Sequence, residues 1–556
     1  MAGREGSSHT GGDSVVEALE RLGVEVVFGI PSVHNIPIYD ALARRGSIKV
    51  VTVRHEQAAA GAADAYARVS GRLGAFITST GPGAANAMGG LLEAFVSGSP
   101  VLHLTGQIDS RFLGQKRGFI HEVPAQGEML GSLSKRVLTA ATAESIFGLV
   151  LEAAGEALTS PRGPVSVELP IDLQYAETGP SEGSFIPPEP SVGFGREELA
   201  RAVELLSAAR RPLIWAGGGV VSAEADRELR ELAERLGAGV ITTPNARGVL
   251  PEDHPLCIGN LPWDAEVRRL AIASDLLVAV GTRYQATNTD LWRMKLPAGI
   301  LQIDVRPEVP ARNYPPALAL EGDARLVLAE LLEDLPARSG SDAQWRREVA
   351  AVAQSARRAL RATLGPQEAL LDETAAALDD ESVVVKDSTI PAYTWGNRLL
   401  PVRAPRRSIM PNGFAIGLGL THALGAAVAS RRPVLLMAGD GGFMLAATEL
   451  ATIAQEELPV VAVVFNDGGY GILRNIQERQ YGRRIGVDLG RPDFVGLAAS
   501  LGVKAERVAS ADSYGKALRG ALEAGRPHLI ELDLAAIGPM AVTYTGTSRP
   551  PVEPVR

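Results

Sequence analysis

Short apolar runs bounded by Gly or Pro recur along the chain, and most are separated by stretches with helical spacing. Residues 14–22 have the period of an amphipathic helix, 25–28 and 50–53 read as strands, and 56–70 form an Ala-rich helical stretch. Strands are predicted at 73–78, 101–104 and 165–169. The pattern resumes with strands at 212–216, 239–242, 276–280 and 301–304, and again at 382–385, 433–437, 460–465 and 529–532. A helix is expected over 444–455. Strands alternating with helices predict parallel sheets covered on both faces. The expected fold class is therefore α/β, with three doubly wound parallel-sheet domains at 1–176, 195–335 and 365–540 and a tail at 541–556. The Pro-, Gly- and Glu-rich stretch 177–190 and the small polar stretch 337–342 read as linkers. The end of the chain from Gly538 has no periodicity; disorder and folding over a site both stay open.

Composition narrows the class of function. The chain has 556 residues, 46% of them apolar, and a charge of 55 − 64 = −9. No long basic tract is present, so nucleic acid is not an expected partner. The arginines of residues 344–361 read as a solvated helix face. Cys257 is the single cysteine, which rules out an intrachain disulfide and fits a reducing compartment. The first ten residues lack an apolar signal core, and no apolar run reaches the roughly 18 residues of a membrane helix. A soluble, cytoplasmic protein with no membrane partner is expected.

Three α/β units first suggest a nucleotide-dependent dehydrogenase. The GxGxxG fingerprint fails at each near match: Gly217-x-Gly219 meets Ser222, Gly81-x-Gly83 meets Asn86, Gly417-x-Gly419 meets His422, and Gly469-x-Gly471 meets Arg474. No GxxxxGK[ST] loop occurs either.

The strongest chemical signal lies in the third unit. Gly439-Asp440-Gly441-Gly442 follows one predicted strand and Asn466-Asp467-Gly468-Gly469-Tyr470 follows the next, with the two aspartates 27 positions apart. A strand–helix–strand unit of that length sets both carboxylates at the carboxyl edge of adjacent strands, where ligands collect. Two carboxylates and a loop carbonyl suit a hard cation such as Mg²⁺, completed by phosphate oxygens. Gly441 and Gly442 let backbone N–H groups approach a phosphate. Taken singly, GDG and NDG are ordinary turns. In the first unit, Arg54-His55-Glu56-Gln57 opens the Ala-rich helix, and Glu56 alone would be a carboxylate at a helix N-terminus. Two further segments are Thr80-Gly81-Pro82-Gly83-Ala84-Ala85-Asn86 and Phe414-Ala415-Ile416-Gly417-Leu418-Gly419-Leu420. Asp387-Ser388-Thr389 follows a strand.

Together these segments resemble the thiamin-diphosphate (ThDP) enzymes, whose GDG…NN motif here has Asp467 in place of the second Asn. The resemblance runs over nearly the whole chain and is closest to acetolactate synthase-like enzymes, with benzoylformate-type and guanidino-oxo-acid decarboxylases nearby. It implies that Asp440, Asp467 and the Gly469 carbonyl ligate Mg²⁺. It implies cofactor contacts from Pro82, Asn86, Ser388, Thr389, Phe414, Ile416, Gly439, Gly441, Gly442 and Tyr470. Ile416 stands where the family has the apolar wedge that bends the cofactor, and Phe414 where it usually has Gly. Glu56 is the implied activating acid at the pyrimidine, since a buried carboxyl with a raised pKa can protonate that ring. His121 stands where acetolactate synthase has a polar residue facing the reacting carbon; proton donor and loop histidine both remain open. His34 and His55 are weaker candidates, and Gln126 and Lys135 are candidates for the pocket wall. Ile476 replaces the Trp of biosynthetic acetolactate synthase. The implied reaction takes a 2-oxo acid, releases CO₂, and either protonates the remaining carbon to an aldehyde or joins it to a second carbonyl. Carboligation is the first reading and simple decarboxylation the alternative. FAD is compatible with the resemblance but not expected. The resemblance also implies a homodimer or homotetramer with sites at the dimer interface.

Overall fold

A computed structural model describes residues 9–306, 308–336 and 343–545 of the protein. The proposed linker at 337–342 and the tail beyond residue 545 lie outside the described residues. Three six-stranded sheets follow one another along the chain. The first holds β1 (Val26–Gly29), β2 (Lys49–Thr52), β3 (Gly74–Thr78), β4 (Val101–Gln107), β5 (Val137–Thr139) and β6 (Val165–Pro170), in the order β2-β1-β3-β4-β6-β5. The second holds β7 (Pro212–Ala216), β8 (Gly239–Thr242), β9 (Cys257–Gly259), β10 (Leu276–Val280), β11 (Ile300–Asp304) and β12 (Leu318–Glu321), in the order β12-β11-β10-β7-β8-β9. The third holds β13 (Val383–Lys386), β14 (Ser408–Ile409), β15 (Val434–Gly439), β16 (Val460–Asn466), β17 (Lys504–Val508) and β18 (His528–Asp533), in the order β14-β13-β15-β16-β18-β17. Neighbouring strands in each sheet are parallel. The first and third sheets share one topology. The α/β reading with three doubly wound parallel sheets is therefore what the protein adopts.

The sequence pattern had no reading for β5, β9, β12, β14 and β17. All five are edge strands, and all are short or, as in β17, largely exposed. An edge strand need not carry the continuous apolar run that marks a strand buried on both faces. The helix expected over 444–455 is broken. Asp440–Phe443 forms one helical turn, residues 444–448 form a turn, and the helix proper runs Glu449–Gln455. The break sets Leu445 against Gly417, where φ is +89° and any Cβ would lie 2.6 Å from the Leu445 side chain. The arginine-rich segment is a helix, Ala343–Ala362, with its charges outward. It also buries Trp345, Val349, Ala353 and Ala356 against the second sheet.

The first and third sheets are joined by two helices, Glu56–Ser70 and Gly419–Ser430. They cross at small residues. A Cβ on Gly425 would sit 2.1 Å from the Ala62 carbonyl oxygen, and one on Gly61 would sit 2.4 Å from Thr421 Oγ1. A buried ionic cluster flanks the crossing. Arg68 lies 3.4 Å from Asp64 and 3.7 Å from Glu93, and His422 Nε2 lies 3.2 Å from Asp64. Burial alone would raise the Asp64 carboxyl, but Arg68 and His422 hold it below its ordinary value. Glu93 accepts the N–H groups of Asn412 and Gly413, and Arg68 donates to the Met410 carbonyl.

Overpacking at the crossing has no soft side chain to displace. Gly425→Val is expected to cost about 3 kcal/mol or more in denaturant unfolding. Gly520→Ala, at an exposed helix position with no atom near the new Cβ, should instead add about 0.5–1 kcal/mol.

Candidate functional site

A cleft of about 560 Å³ opens at the carboxyl edge of the third sheet, facing the second. Its floor is built by the segments that leave three adjacent strands: Ser388 and Thr389 after β13, Asp440–Gly442 after β15, and Asp467–Gly471 after β16. β13 and β15 are neighbours on either side of the topological switch, the place where an open parallel sheet offers a crevice. The register pairs Gly439 with Phe465, so Asp440 and Asp467 leave neighbouring strand ends.

Burial raises the pKa of both carboxyls, and for Asp467 the Asp440 charge adds to it, bringing that group to about 6. Asp467 Oδ1 is buried and has no hydrogen-bond partner. Arg474 stands 4.0 Å from that oxygen, beyond hydrogen-bond reach, and two carboxylates that repel each other would gain from a cation bound by both. The glycines leave no room for side chains here: a Cβ on Gly471 would lie 2.0 Å from Asp467 Oδ2, and one on Gly441 2.7 Å from the Tyr470 ring. Among the described residues no group of three or more His, Cys, Asp or Glu forms a metal cluster. Two carboxylates with carbonyl and phosphate oxygens fit Mg²⁺ without a third acidic side chain.

Ile416 and Phe414 line the same cleft. Asp387 fixes their loop from behind: its carboxylate accepts the N–H groups of Ser388, Gly417 and Gly419 at 2.6, 3.1 and 3.1 Å. Phe414 has φ +57°, the left-handed region that favours glycine, which explains why Gly is usual at this place in the family. Its ring stacks on Tyr393 at 6.4 Å, and the Tyr393 hydroxyl donates to Ser388 Oγ.

The first-unit candidates form a separate group. The Glu56 carboxylate accepts a 3.0 Å hydrogen bond from Asn86 Nδ2 and lies beside Gly83. Pro82 and Asn86 are exposed. The His121 ring sits 5.1 Å from that of His34 and 3.4 Å from Ser79 Oγ. Burial, and then His121, push the His34 pKa down. His55 caps its helix, accepting the Gln57 N–H. Two expectations are corrected. Gln126 is buried, accepting from Thr80 Oγ1 and the Gly81 N–H, and so holds the Thr80–Gly81 turn rather than lining a pocket wall. Lys135 donates to the carbonyls of Glu156 and Thr159 beside the end of another helix, so its ammonium is already engaged away from this group.

None of Glu56, Pro82, Asn86 or His121 lines the cleft. The helix crossing shows why. Asp64 and Arg68 meet His422 and Met410, near the wedge loop. At the other end, the Arg54 N–H donates to Glu449. Glu56 is therefore carried roughly 18 Å along its helix from Arg68. Sequence reasoning missed several lining residues: Asn260, Trp263 and Asn288 from the second unit, and Tyr393, Arg398 and Tyr544 from the third. Only the tail offered a signal. Its described part does fold over the site, with the Tyr544 carbonyl held by Asn475 Nδ2.

A three-sheet α/β architecture with a glycine- and carboxylate-lined cleft defines the class, and comparison with known proteins fixes the family. Residues 9–129 match the thiamine pyrophosphate enzyme N-terminal TPP binding domain, 199–331 the central domain, and 391–532 the C-terminal TPP binding domain. The chain belongs to the thiamine pyrophosphate (ThDP) enzyme family and is a ThDP-dependent enzyme. It is 34% identical to a probable 2-ketoarginine decarboxylase of Pseudomonas aeruginosa, over 94% of each chain. It is 32% identical to a probable acetolactate synthase large subunit of Methanococcus aeolicus, over 94% of this chain and 91% of that one. An acetolactate synthase large subunit of Corynebacterium glutamicum is 31% identical, over 94% of this chain and 86% of its own. Among the described residues no helix is long and apolar enough to cross a membrane.

The raised Asp467 pKa gives a pH test. In metal-free protein its contribution to stability is present below the free-carboxyl range and is lost as pH rises through about 6. A cation reverses this, because it binds the deprotonated form and competes with the proton. Mg²⁺ with ThDP should raise Tm more at about pH 7.5 than at about pH 5. Asp467→Asn should still respond but lose that dependence; an equal pH dependence in the variant would remove Asp467 from the metal site.

Proposed function

We propose that the protein is a Mg²⁺- and ThDP-dependent enzyme of 2-oxo acid decarboxylation, acting first as a carboligase of the acetolactate synthase type. The observation that carries the reading is the Asp440–Asp467 pair, with an orphaned carboxylate oxygen at a glycine-walled cleft. The relatives' names span both product fates. Bound ThDP would supply a nucleophilic carbon and an electron sink. Asp440, Asp467 and the Gly469 carbonyl hold the metal, and the glycine backbone of Gly439, Gly441 and Gly442, with Ser388, Thr389 and Tyr470, surrounds the diphosphate. Ile416 would stand as the apolar wedge against the bound cofactor, and Phe414 would offer its carbonyl through a left-handed backbone. Glu56 would hold the pyrimidine by a hydrogen bond, with Asn86 donating to its carboxylate and Pro82 at the same turn. His121 would be the proton donor that bears on the choice between aldehyde and ligation product. FAD is not part of this proposal; Gly217 and Gly219 pack on Gly281, where added Cβ atoms would lie 2.2 and 2.6 Å from backbone atoms, and they also line a cleft of the second unit.

In this reading the site is completed by a second copy of the chain. Glu56 and Ile416 lie toward different ends of one intrachain helix pair. Apolar side chains near both half-sites are exposed, among them Leu92, Phe95 and Ile120 in the first unit and Met444, Leu445 and Leu473 in the third. A C₂ pair sets each first-unit edge against the partner's third-unit edge and makes two equal sites. The domain bounds 1–176, 195–335 and 365–540 and a cytoplasmic location belong to the same proposal.

Incubation with a panel of 2-oxo acids, reading CO₂ and ligation products together, tests the reaction. His121→Ala should change the ratio of aldehyde to ligation product or slow turnover. CO₂ release from none of the panel would sink the reading. For assembly, Glu56→Gln and Asp440→Ala should each be inactive and should complement when refolded together. About half the random dimers are mixed with one working site of two, so activity should approach roughly a quarter of wild type. A remixed sample that stays dead, while wild type survives the same treatment, would exclude a shared site.

A further inference from the structure

The cleft contains one cation that no described residue neutralises. Among the described residues its charged lining groups are Asp440, Asp467 and Arg398. The Arg398 guanidinium makes no hydrogen bond or ion pair with a described residue; Tyr544 is the one titratable group whose charge acts on it. Desolvation at this wall pulls its pKa down, which an anionic partner would reverse. Arg398 is not a diphosphate ligand by placement. The cations that act on Asp467 are Arg474 and Arg491, not Arg398.

The backbone that carries Arg398 is fixed in advance. It follows a π-helical turn, Ala392–Gly396, an irregularity frequent at functional sites. Buried Arg247 donates to the carbonyls of Gly396 and Leu400, on either side of Arg398, while its Nε and Nη2 grip Glu252 at 2.7 Å. Asn260 Nδ2 donates to the Asn397 carbonyl. A second-unit arginine is thus spent on holding a third-unit arginine at the cleft wall. Nearby, the helix Gly471–Tyr481 places Ile472 and Ile476 in the lining, where a larger side chain at 476 would take the space beside Tyr544.

We infer that Arg398 is a specificity residue, and that the substrate it selects is a 2-oxo acid with a second, distal carboxylate. The inference rests on the 2-oxo acid reading above and names its substrate class. A cationic side chain, such as a guanidino group, meets like charge at Arg398, and the two carboxylates that this chain's described residues bring to the cleft belong to the proposed metal site. The reacting carboxylate is a poor partner for the guanidinium, because holding it would stabilise the ground state of a group that must leave as CO₂. A planar fork suits a fixed distal carboxylate, bound through paired charge-assisted hydrogen bonds.

The test compares kcat/KM of the ThDP- and Mg²⁺-loaded enzyme on three 2-oxo acids of matched length: one ending in carboxylate, one in methyl, one in guanidinium. Wild type should prefer the carboxylate-ended acid over the methyl-ended one by roughly 10- to 100-fold, chiefly through KM. Arg398→Ala should collapse that ratio, Arg398→Lys should restore part of it, and Arg398→Glu should shift preference toward the guanidinium. A wild type that turns over the methyl- or guanidinium-ended acid equally well or better overturns the inference while leaving the reaction class intact, whether or not the variants fold. A variant that slows all three acids equally also overturns it, since Arg398 would then hold the carboxylate common to all. Absence of CO₂ from all three, and from shorter 2-oxo acids, would overturn the reaction class itself.

Discussion

Two helices cross where neither can give way, and the geometry of both half-sites follows from that crossing. Gly61 and Gly425 remove the side chains that would hold the Glu56 helix and the Gly419 helix apart. The close approach brings Asp64, Arg68, Glu93 and His422 into one buried cluster. Removing one member of such a cluster leaves an uncompensated buried charge, worth about 3–5 kcal/mol. The cluster also reaches outward. Glu93 and Arg68 anchor the segment Met410–Gly413, which leads directly into Phe414 and Ile416. A left-handed Phe414, costing about 1–2 kcal/mol, is tolerable because both ends of its loop are tied down, one by Glu93 and the other by Asp387.

Charge is left under-compensated where ligands would go, while the buried arginine behind the cleft wall is balanced. Arg247 is as buried as any described arginine, and Glu252 and two carbonyls satisfy it. Asp440, Asp467 and Arg398 are desolvated with less compensation: backbone N–H groups reach the two carboxyls, Arg474 stands 4.0 Å from Asp467, and Arg398 has no ion pair with a described residue. Two acids at the sheet edge and a lone guanidinium on the wall give the cleft two ends of opposite sign. Leaving these groups unmatched lowers the stability of the empty protein, and the deficit becomes binding energy when a cation or an anion arrives. Asp467 makes the deficit larger than the family's Asn would, since a second carboxylate repels the first.

The legible parts of the sequence were those where one local rule dominates. Central strands buried on both faces announced themselves as apolar runs, and the helix Glu56–Ser70 was exact in its bounds. Asp440 and Asp467 were readable because chemistry and spacing agreed. Edge strands were not, because their partners lie on one side only. The break at residues 444–448 was hidden because its cause, Leu445 on Gly417, is a contact between segments distant in sequence. Gln126 and Lys135 were misplaced for a related reason: the residue type fits a pocket, and only the fold shows the carbonyls and N–H groups already engaging each one. Arg398 and Tyr544 carried no motif. The meaning of Arg398 lies in the partner missing around it among the described residues, and a sequence cannot display an absent partner.

The shared topology of the first and third sheets gives the proposed assembly its logic. Each sheet presents its candidate residues at its carboxyl edge: Glu56, the Pro82–Asn86 turn and His121 on one, the cleft on the other. Within one chain the helix crossing spends the faces of these two units on each other and turns the edges apart. In the proposed assembly, two copies related by a twofold axis would close two sites without altering the crossing. A cofactor held across such an interface binds the assembled form alone, so its affinity and the association of the chains are one linked equilibrium. Dilution would then weaken cofactor binding, and the cofactor would oppose dissociation.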